Sequence, residues 1–468
     1  MRKMILREIK FTVFVGLSLF FLALNTFAFS PYSNKELDEL EKEFIQQINS
    51  SSSVIHNPLA IQYINHLGKT LAQHGQLRAP YFFIVKSNEI NAFAGPGGYI
   101  GINTQLILAT VNEGELAGVM AHEMAHVRQH HLYRMMEHQK QMRVPMLAAM
   151  LASIALGVIN PSMGTGAMMA SLSGLAQDSI NYVRSNEKEA DRIGADMLIK
   201  SGQDPRGMAN FFKKMQENAR YYYTANVPAI LRTHPMDEDR IAEAENRSQH
   251  LAAAYYPPSL NYQLFKELIR VSVMENTKQL LDYYQYECSK PQSGVACQYG
   301  YALALMDANQ YQAALNRLTP LIEHDPTNLD FQITLAQTQT GLKQYDQAIS
   351  KLKELNGNFP ENYAIIMALA QSFIAGQKPA EAASVLLKAS RQFKYDLPIC
   401  EELAQAQASS HRKAYAYFTQ AQCELLRGNR RLALQQLKLA KQLTNKDRYL
   451  AARIDAKIEE VKQAILAN

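Results

Sequence analysis

The stretch AHEMAHVRQHH, residues 121–131, places four histidines and one glutamate within eleven positions. Asn112, a residue type that caps helices, lies nine positions before it and is followed three positions later by Glu115. Apolar residues then recur at the spacing of a helix face, at Leu116, Val119, Met120 and Val127. The sequence therefore predicts an amphipathic helix that carries the histidines.

His122 and His126 are four residues apart, so on a helix both imidazoles lie on one face and can bind the same cation. Glu123 lies between them, where a carboxylate can contact a water molecule that the cation holds. This His-Glu-x-x-His pattern is typical of zinc peptidases, in which three protein ligands leave a fourth position for water. We therefore expect one Zn²⁺ per chain, with Glu123 as the carboxylate that takes the proton of the water.

The other two histidines of this stretch are interpreted as helix-surface residues. His130 comes eight residues after His122, which is about 12 Å along the axis of a continuous helix and too far for both to bind one ion. His131 follows it directly. The third ligand is therefore expected from another segment.

The best candidate segment is SNEKEADRIGAD, residues 185–196. Glu187 and Asp191 are four residues apart on a predicted helix. Glu187 can complete a His2Glu set, while Asp191 can orient one of the ligating histidines. Glu189 is the alternative ligand, and a solvated acidic helix face is the alternative interpretation of the pair.

The segment THPMDEDR, residues 233–240, supplies two further candidates. His234 is predicted either to donate to the oxyanion or to bind the metal at its open position, which would restrain the enzyme. A histidine that caps local structure is the alternative. Arg240 is predicted either to stabilise the oxyanion or to pair with Asp237 or Asp239.

Residues 81–107, YFFIVKSNEINAFAGPGGYIGINTQLI, are predicted to form the strands of a small sheet. We expect two strands around a turn at Ser87 and Asn88, a Gly-Pro-Gly-Gly bend, and a third strand that ends near Asn103. The segment from Asn91 to Asn103 is the expected substrate platform, because an exposed strand can pair with an extended peptide. Its glycines do not form a phosphate-binding loop, since no Gly-Lys-Ser/Thr follows them.

The N-terminus has the features of a secretory signal peptide. Residues 1–28 contain four basic residues, an apolar run, and small residues at a plausible cleavage site after Ala28. A retained membrane anchor is the alternative. Cleavage would remove four positive charges and one negative charge, so the formal net charge would change from +5 to +2. Nothing in that charge indicates a partner among nucleic acids.

Residues 144–176 are rich in alanine, methionine, glycine and leucine and almost uncharged. Their uninterrupted apolar part ends at Asn160 and Pro161 and is shorter than the roughly twenty residues that span a bilayer. We expect an apolar helical hairpin that covers the site or touches the membrane surface. A transmembrane hairpin is the alternative.

Beyond Tyr255, the chain is predicted to be helical and to repeat with a constant period. The residues that keep this interval are Ala302, Ala336 and Ala370, then Ala314, Ala348 and Ala382, and then Pro326 and Pro360. The period is that of the tetratricopeptide repeat (TPR), about 34 residues, whose small residues let paired helices approach closely. Ala421 and Ala433 are interpreted as a restart after an insertion of about 17 residues, or one extra helix. An ordinary helical bundle is the alternative.

All four cysteines lie in this C-terminal half, and an even number in an exported chain predicts disulfides. Proximity favours Cys288 with Cys297 and Cys400 with Cys423. Three pairings are possible, so connectivity stays open at this point.

Four ordered motifs, NAFAGPGGYIGI, MAHEMAHVRQHH, NEKEADRIGADMLIKSGQDP and THPMDEDRI, resemble those of the HtpX and CaaX-prenyl-protease type of zinc metallopeptidase. With a signal peptide and C-terminal TPRs, the chain is also similar to periplasmic proteases that assist β-barrel assembly in Gram-negative bacteria. The resemblance implies zinc ligation by His122, His126 and Glu187, and catalysis by Glu123. It also implies assembly and quality control of outer-membrane proteins, including the lipopolysaccharide-transport barrel, together with the barrel-assembly machinery. Gly95 occupies a position where the family usually has leucine or a similar residue.

The predicted fold is mainly α: a zincin-type α+β metallopeptidase domain with a small β-sheet at residues 29–254, then an all-α TPR solenoid at residues 255–468. The predicted function is a zinc-dependent endopeptidase with chaperone-like activity, whose substrates are misfolded or stalled outer-membrane proteins. The competing hypothesis is a TPR-based assembly chaperone or scaffold with a largely self-inhibited metal site. A transmembrane HtpX-like peptidase is a third, and it depends on residues 144–176.

Overall fold

The computed structural model of the chain describes residues 34–75, 79–140, 177–221, 228–249, 255–444 and 447–466. The predicted signal peptide and the apolar stretch 144–176 lie outside these ranges. Among the helices in these ranges, none combines the length and the apolar content that a membrane span requires.

A small sheet packs beside the helix that carries the histidine motif. Its strands are β1 Val54–Ile55, β2 Tyr81–Val85, β3 Ala92–Ala94 and β4 Tyr99–Asn103, in the order β1-β2-β4-β3. β3 and β4 are antiparallel and are joined through the predicted glycine bend, where Gly97 has a left-handed φ of 73°. β2 and β4 are parallel. The predicted strands are therefore present, and β3 lies at one edge of the described sheet.

The helices described in the N-terminal half pack against this sheet or against one another. They are α1 Asn34–Ser50, α2 Pro58–Gly75, α3 Thr104–Ala109, α4 Glu113–Arg128, α5 His131–Lys140, α6 Gln177–Lys200, α7 Gly207–Tyr221, α8 Ala229–Thr233 and α9 Glu238–Gln249. The Asn112 side chain caps α4 and accepts from Glu115 N at 2.9 Å, as the sequence predicts. The motif helix therefore begins where the capping pattern places it.

The prediction that α4 is amphipathic is wrong. All residues from Gly114 to Ala125 are buried, because α2, α6, α7 and β3 pack around the helix. A helix that is covered on all sides has no solvent face. The histidine motif therefore lies in the interior of the protein rather than on a surface helix.

The C-terminal helices follow one another in pairs. They are α10 Leu260–Val273, α11 Thr277–Glu287, α12 Val295–Asp307, α13 Tyr311–His324, α14 Leu329–Gly341, α15 Tyr345–Asn358, α16 Tyr363–Ala375, α17 Pro379–Gln392, α18 Leu397–Ser409, α19 Lys413–Leu426, α20 Arg430–Gln442 and α21 Arg448–Leu466. The six alanines that define the predicted period are all 0% exposed. A small-sheet α+β domain followed by TPR-like helices is therefore confirmed.

The repeat continues without the predicted insertion. α12, α14, α16 and α18 begin at positions 295, 329, 363 and 397, so the interval between them is constant and equals the predicted period. Ala421 lies on α19, the second helix of its pair, whereas Ala433 lies on α20, the first helix of the next. The prediction of an inserted helix is therefore wrong. Its length of about 17 residues is half of a repeat, which is the offset between the two helices of one pair. Because both helices of a pair bury alanines, an alanine on a second helix can be mistaken for the start of a new unit.

Residues 41–468 form one compact unit, whose main hydrophobic core extends from the strands into the repeats. α2 packs against α10 and α16, and α16 is buried on almost every face. Gln62 of α2 accepts from Tyr363 N at 2.8 Å. Tyr63 stacks on Phe265 with ring centroids 4.3 Å apart. The repeat helices are therefore part of the scaffold that holds the motif helix.

Both favoured disulfides are present. Cys288 at the end of α11 pairs with Cys297 of α12, and Cys400 of α18 pairs with Cys423 of α19. Each bond therefore links two successive helices of the C-terminal half.

Candidate active site

α4 presents two imidazoles and a carboxylate at one buried point. The Nε2 atoms of His122 and His126 are 3.1 Å apart. Glu123 is 1% exposed, and its Oε1 atom has no hydrogen bond within the described part of the chain. Because a buried carboxylate oxygen without a donor is unfavourable in a folded protein, this arrangement fits a site for a metal and its water.

Glu187 of α6 reaches the same point. Its Oε2 atom lies 3.3 Å from His122 Nε2, and its Oε1 atom lies 3.4 Å from His126 Nε2. α6 approaches α4 closely at Gly194, two turns further along, where an added Cβ would lie 3.1 Å from His122 N. The structure therefore brings the three predicted ligands together.

His234, the residue after α8, joins this group. Its Nδ1 atom lies 3.1 Å from Glu187 Oε1 and 3.3 Å from His122 Nε2, and its Nε2 atom lies 3.4 Å from Glu123 Oε1. One ligand atom from each of His122, His126, Glu187 and His234 lies within 4.8 Å of the others. Imidazole nitrogens and a carboxylate oxygen at this spacing fit a divalent transition metal such as Zn²⁺.

Asp191 and Arg240 lie behind this cluster. Asp191 Oδ1 is 3.0 Å from His122 Nδ1. Arg240 donates to Asp191 from Nε at 2.7 Å and from NH2 at 2.9 Å, and its NH2 atom is also 3.1 Å from Glu187 Oε2. Only the backbone N–H of Arg240 contacts Asp237. The guanidinium therefore pairs with Asp191 and Glu187 rather than with the acidic residues next to it in sequence.

His131 belongs to the site, although the sequence interpretation placed it on the surface. α4 ends at Arg128, and His130, which is exposed as predicted, turns the chain with a φ of 53°. His131 then begins α5, is 4% exposed, and has its Nδ1 atom 2.9 Å from His126 Nδ1. The surface assignment of His131 is wrong because it assumed a continuous helix. No glycine or proline marks the break, so no signal in the sequence points to it.

Glu189, the alternative third ligand, lies outside the four-residue cluster. Its Oε2 atom is 3.1 Å from His131 Nε2 and 3.1 Å from Arg134 NH1. Position 187 rather than 189 therefore supplies the carboxylate to the cluster.

The electrostatics of the cluster favour a positive charge at its centre. Burial opposes protonation of His122, but hydrogen bonds with Asp191 and Glu187 raise its pKa to about 10. Burial and the neighbouring imidazoles hold the pKa of His126 well below its usual value. Although burial works in the other direction, His234 and His126 hold the pKa of Glu187 well below its usual range. The carboxylate is thus ionised beside a protonated imidazole, whose proton a metal cation can replace.

A cavity of about 530 Å³ opens beside the cluster. Glu123, His126, Glu187 and His234 line it, together with β3 and the glycine bend of the predicted substrate platform. Tyr395, from the loop between α17 and α18, also lines it. The wall of the cavity therefore includes a residue of the repeat half.

A buried His-Glu-x-x-His helix, a carboxylate from a second helix and a small sheet that ends in an edge strand together define a zincin-type metallopeptidase domain. In this chain the domain is joined to TPR-like helices. The chain belongs to peptidase family M48, whose profile matches residues 58–248, and a tetratricopeptide repeat profile matches residues 305–355.

Curated relatives with protease names match between about one third and two thirds of the chain. The beta-barrel assembly-enhancing protease of Escherichia coli (strain K12) is 37% identical over 313 residues, which cover 65% of this chain and 63% of that protein. The putative beta-barrel assembly-enhancing protease of Vibrio cholerae is 36% identical over 61% of this chain and 60% of its own length. A protease HtpX homolog of Methylibium petroleiphilum is 30% identical over 37% of this chain and 71% of its own length. The chain thus spans less than two thirds of the two barrel-assembly relatives.

Proposed function

We propose that the protein is a zinc-dependent endopeptidase. The observation that carries this proposal is the cluster in which His122, His126, Glu187 and His234 each place a ligand atom within 4.8 Å of the others. His122, His126 and Glu187 are assigned as the metal ligands, and Glu123 as the catalytic carboxylate. When bound, zinc would supply an activated water near neutral pH and polarise the scissile carbonyl.

The residues around the ligands either transfer protons or hold the ligands in position. Glu123 lines the cavity beside the ligands, takes a proton from the attacking water, and passes it to the departing amine. The Asp191 carboxylate lies 3.0 Å from His122 Nδ1, and this contact favours the tautomer that leaves Nε2 to bind the metal. Arg240 holds Asp191 with two hydrogen bonds, so it acts through Asp191 rather than on the substrate.

An extended segment of a client protein is the expected substrate. β3 is at one edge of the described sheet and lines the cavity that contains Glu123, so a peptide can pair with it along its backbone. Pairing through the backbone depends little on the side chains of the peptide. Such a site suits clients that are recognised because they are misfolded or stalled.

A second, self-restrained state is supported by His234. Because its Nδ1 atom lies among the three ligands, His234 can take the coordination position that water and substrate need. This position favours a blocking role over donation to the oxyanion, and it is compatible with the hypothesis of a chaperone whose metal site is largely shut. His234→Ala is expected to raise the rate of peptide cleavage, measured with zinc bound. A fall in that rate would favour the oxyanion role instead.

The names of the two barrel-assembly relatives support a role in β-barrel assembly, and the predicted signal peptide supports a location in the periplasm. There the protein would act in assembly and quality control of outer-membrane β-barrel proteins. We assign residues 29–254, after a cleaved signal peptide 1–28, to the peptidase domain and residues 255–468 to the repeat domain. The repeats would recruit clients or the barrel-assembly machinery, and residues 144–176 would provide peripheral contact with the membrane. Nucleic acid is not proposed as a partner.

Glu123→Gln tests the catalytic assignment. The variant is expected to retain zinc, because Glu123 is not a ligand, and to lose cleavage about a hundredfold or more, because its amide cannot accept the proton. Zinc content is measured by elemental analysis. Cleavage is measured with an unfolded outer-membrane protein as the substrate. Glu217→Gln makes the same substitution at an exposed position of α7, away from the cavity, and is the matched control that should change neither.

The same variant separates the enzyme from the scaffold. If Glu123→Gln cleaves the client at the wild-type rate, the catalytic assignment is wrong. If cleavage is lost but the variant fully restores envelope assembly in cells that lack the wild-type protein, the chaperone hypothesis is favoured over the peptidase.

A further inference from the structure

The contacts behind the ligand cluster include a histidine that the His-Glu-x-x-His motif does not contain. His131 is 4% exposed, and both of its ring nitrogens face polar partners. Nδ1 lies 2.9 Å from His126 Nδ1, and Nε2 lies 3.1 Å from Glu189 Oε2. Arg134 NH1 donates to the same carboxylate oxygen at 3.1 Å.

We propose that His131 and Glu189 form a positioning pair that holds His126 in the orientation and tautomer required to bind the metal. The proposal rests on the proposed metal centre and deepens it. Neither residue is assigned a contact with metal or substrate, since both act through His126.

The direction of each hydrogen bond follows from the metal-binding atom. His126 Nε2 faces Glu187 Oε1 at 3.4 Å, and it must be unprotonated to bind a cation. The ring proton of a neutral His126 is then on Nδ1, and it is donated to His131 Nδ1. His131 accepts there only when its own proton is on Nε2, where Glu189 accepts it. One arrangement of protons therefore satisfies every contact, and the Glu189 carboxylate selects it.

The other ligating imidazole is supported in a comparable way. His122 Nδ1 lies 3.0 Å from Asp191, whose carboxylate is bound by Arg240. For His126 the supporting carboxylate is that of Glu189, and it acts on His126 through the intervening His131 ring. Hydrogen bonds that orient a ligating histidine in this manner contribute roughly 10- to 100-fold to metal affinity.

The test is the zinc affinity of the full-length protein, measured by competition with a chromophoric chelator. His131→Ala and Glu189→Ala are each expected to weaken binding about 10- to 100-fold. Glu189→Gln keeps an acceptor oxygen for His131 Nε2–H and is expected to weaken binding by less than about 10-fold. Lys188→Ala, at an exposed position on the same helix, is the matched control and should bind as wild type does.

A second readout is the absorption spectrum of the Co²⁺-substituted protein. It changes when the ligating imidazole rotates, whereas a loss of folding stability alone leaves it unchanged. Should His131→Ala fail to fold, Glu189→Ala decides the matter, because the Glu189 side chain is 31% exposed.

The outcomes separate this proposal from the proposed function. If the wild-type protein binds no stoichiometric zinc, the metal centre itself is wrong. If the wild type binds zinc and either folded alanine variant binds equally tightly, the positioning pair is overturned and the metal centre stands. Equal weakening by Glu189→Gln and Glu189→Ala would overturn the assigned hydrogen bonds.

Discussion

Arg240 carries its charge in the interior of the protein, with 0% of its side chain exposed. Asp191 and Glu187 balance that charge, and Arg240 NH1 also donates to the Pro235 carbonyl at 2.6 Å. Removing one partner from a buried ion pair leaves the other charges without compensation. Arg240 is therefore expected to stabilise the fold as well as to position Asp191.

Arg240→Met is expected to lower the free energy of unfolding by about 3 to 5 kcal/mol. The measurement is urea denaturation of the metal-free protein, so that a loss of zinc does not contribute. Arg247→Met is the control, because the ion pair of Arg247 with Glu243 is partly exposed and is expected to contribute about 1 kcal/mol or less. If Arg240→Met and Arg247→Met lower the free energy of unfolding equally, the buried ion pairs of Arg240 stabilise the fold no more than the partly exposed pair of Arg247 does.

At the scale of the elements, the contact between α4 and α6 sets the width of the metal centre. A Cβ at position 194 would lie 2.7 Å from Met208 Cε and 3.1 Å from both the carbonyl carbon of Ala121 and the nitrogen of His122. The Met208 side chain can move, but the backbone of α4 cannot. A larger residue at Gly194 must therefore push α6, and Glu187 with it, away from the histidines.

Gly194→Val is expected to lower the free energy of unfolding by about 1 to 3 kcal/mol through overpacking, and to weaken zinc binding as well. Thermal unfolding of the metal-free protein and chelator competition measure the two effects. Arg192→Val places the same side chain at an exposed position of α6 and should leave zinc affinity unchanged. Zinc binding by Gly194→Val at wild-type affinity would mean that the helix spacing does not control the centre.

Helical spacing accounts for the part of the candidate site that the sequence predicted. An interval of four residues fixes which side chains share a face, so His122 with His126 and Glu187 with Asp191 could be paired from their spacing alone. The position of His131 could not, because it depends on a break at His130, where a non-glycine residue adopts a positive φ. Such a break depends on packing with distant segments.

In the repeats, likewise, the sequence predicted the length of the repeat but not where each pair of helices begins. Buried alanines revealed the period, but they could not show which helix of a pair each belongs to. The turn between the two helices of successive pairs does mark the position within the repeat. A residue with positive φ occupies it each time, at Asn309, Lys343, Gln377 and His411. These positions recur at the interval of the repeat, yet four different residue types occupy them, so residue type gives no signal. The parallel pairing of β2 with β4 was likewise unpredicted, since it depends on where β3 is placed.

At the scale of residues 41–468, the peptidase side and the repeats are held together by polar contacts as well as by the core. Tyr262 OH and Lys266 Nζ donate to Thr110 O at 2.8 and 2.6 Å. Asn49 Nδ2 donates to the Tyr395 carbonyl at 3.3 Å, in the loop that lines the cavity. Because Tyr395 lines the cavity, the conformation of this repeat loop is expected to influence the active site.

Asp396 is expected to make the stability of this junction depend on pH. Its carboxylate caps α18 by accepting from Ile399 N at 2.9 Å, and it also accepts from Tyr363 OH at 3.1 Å. Tyr363 N in turn donates to Gln62 on α2, so the carboxylate is one residue from the contact between the two halves. Burial raises the pKa of Asp396 to about 6, whereas an aspartate in an unfolded chain has a pKa of about 3.9.

A carboxyl group whose pKa is raised by folding stabilises the fold most below its unfolded pKa, and that stability is lost as pH rises through the folded value. Wild type is therefore expected to lose stability relative to Asp396→Asn between about pH 5 and pH 7.5, because asparagine keeps the acceptor oxygen without the charge. Denaturant unfolding of both proteins at each pH gives the difference. Asp325→Asn is the control: hydrogen bonds with Thr327 hold the pKa of the Asp325 carboxyl below its usual value, so its difference should stay constant over this range. If the stability difference between wild type and Asp396→Asn also stays constant over this range, the expected pH dependence of the junction is wrong.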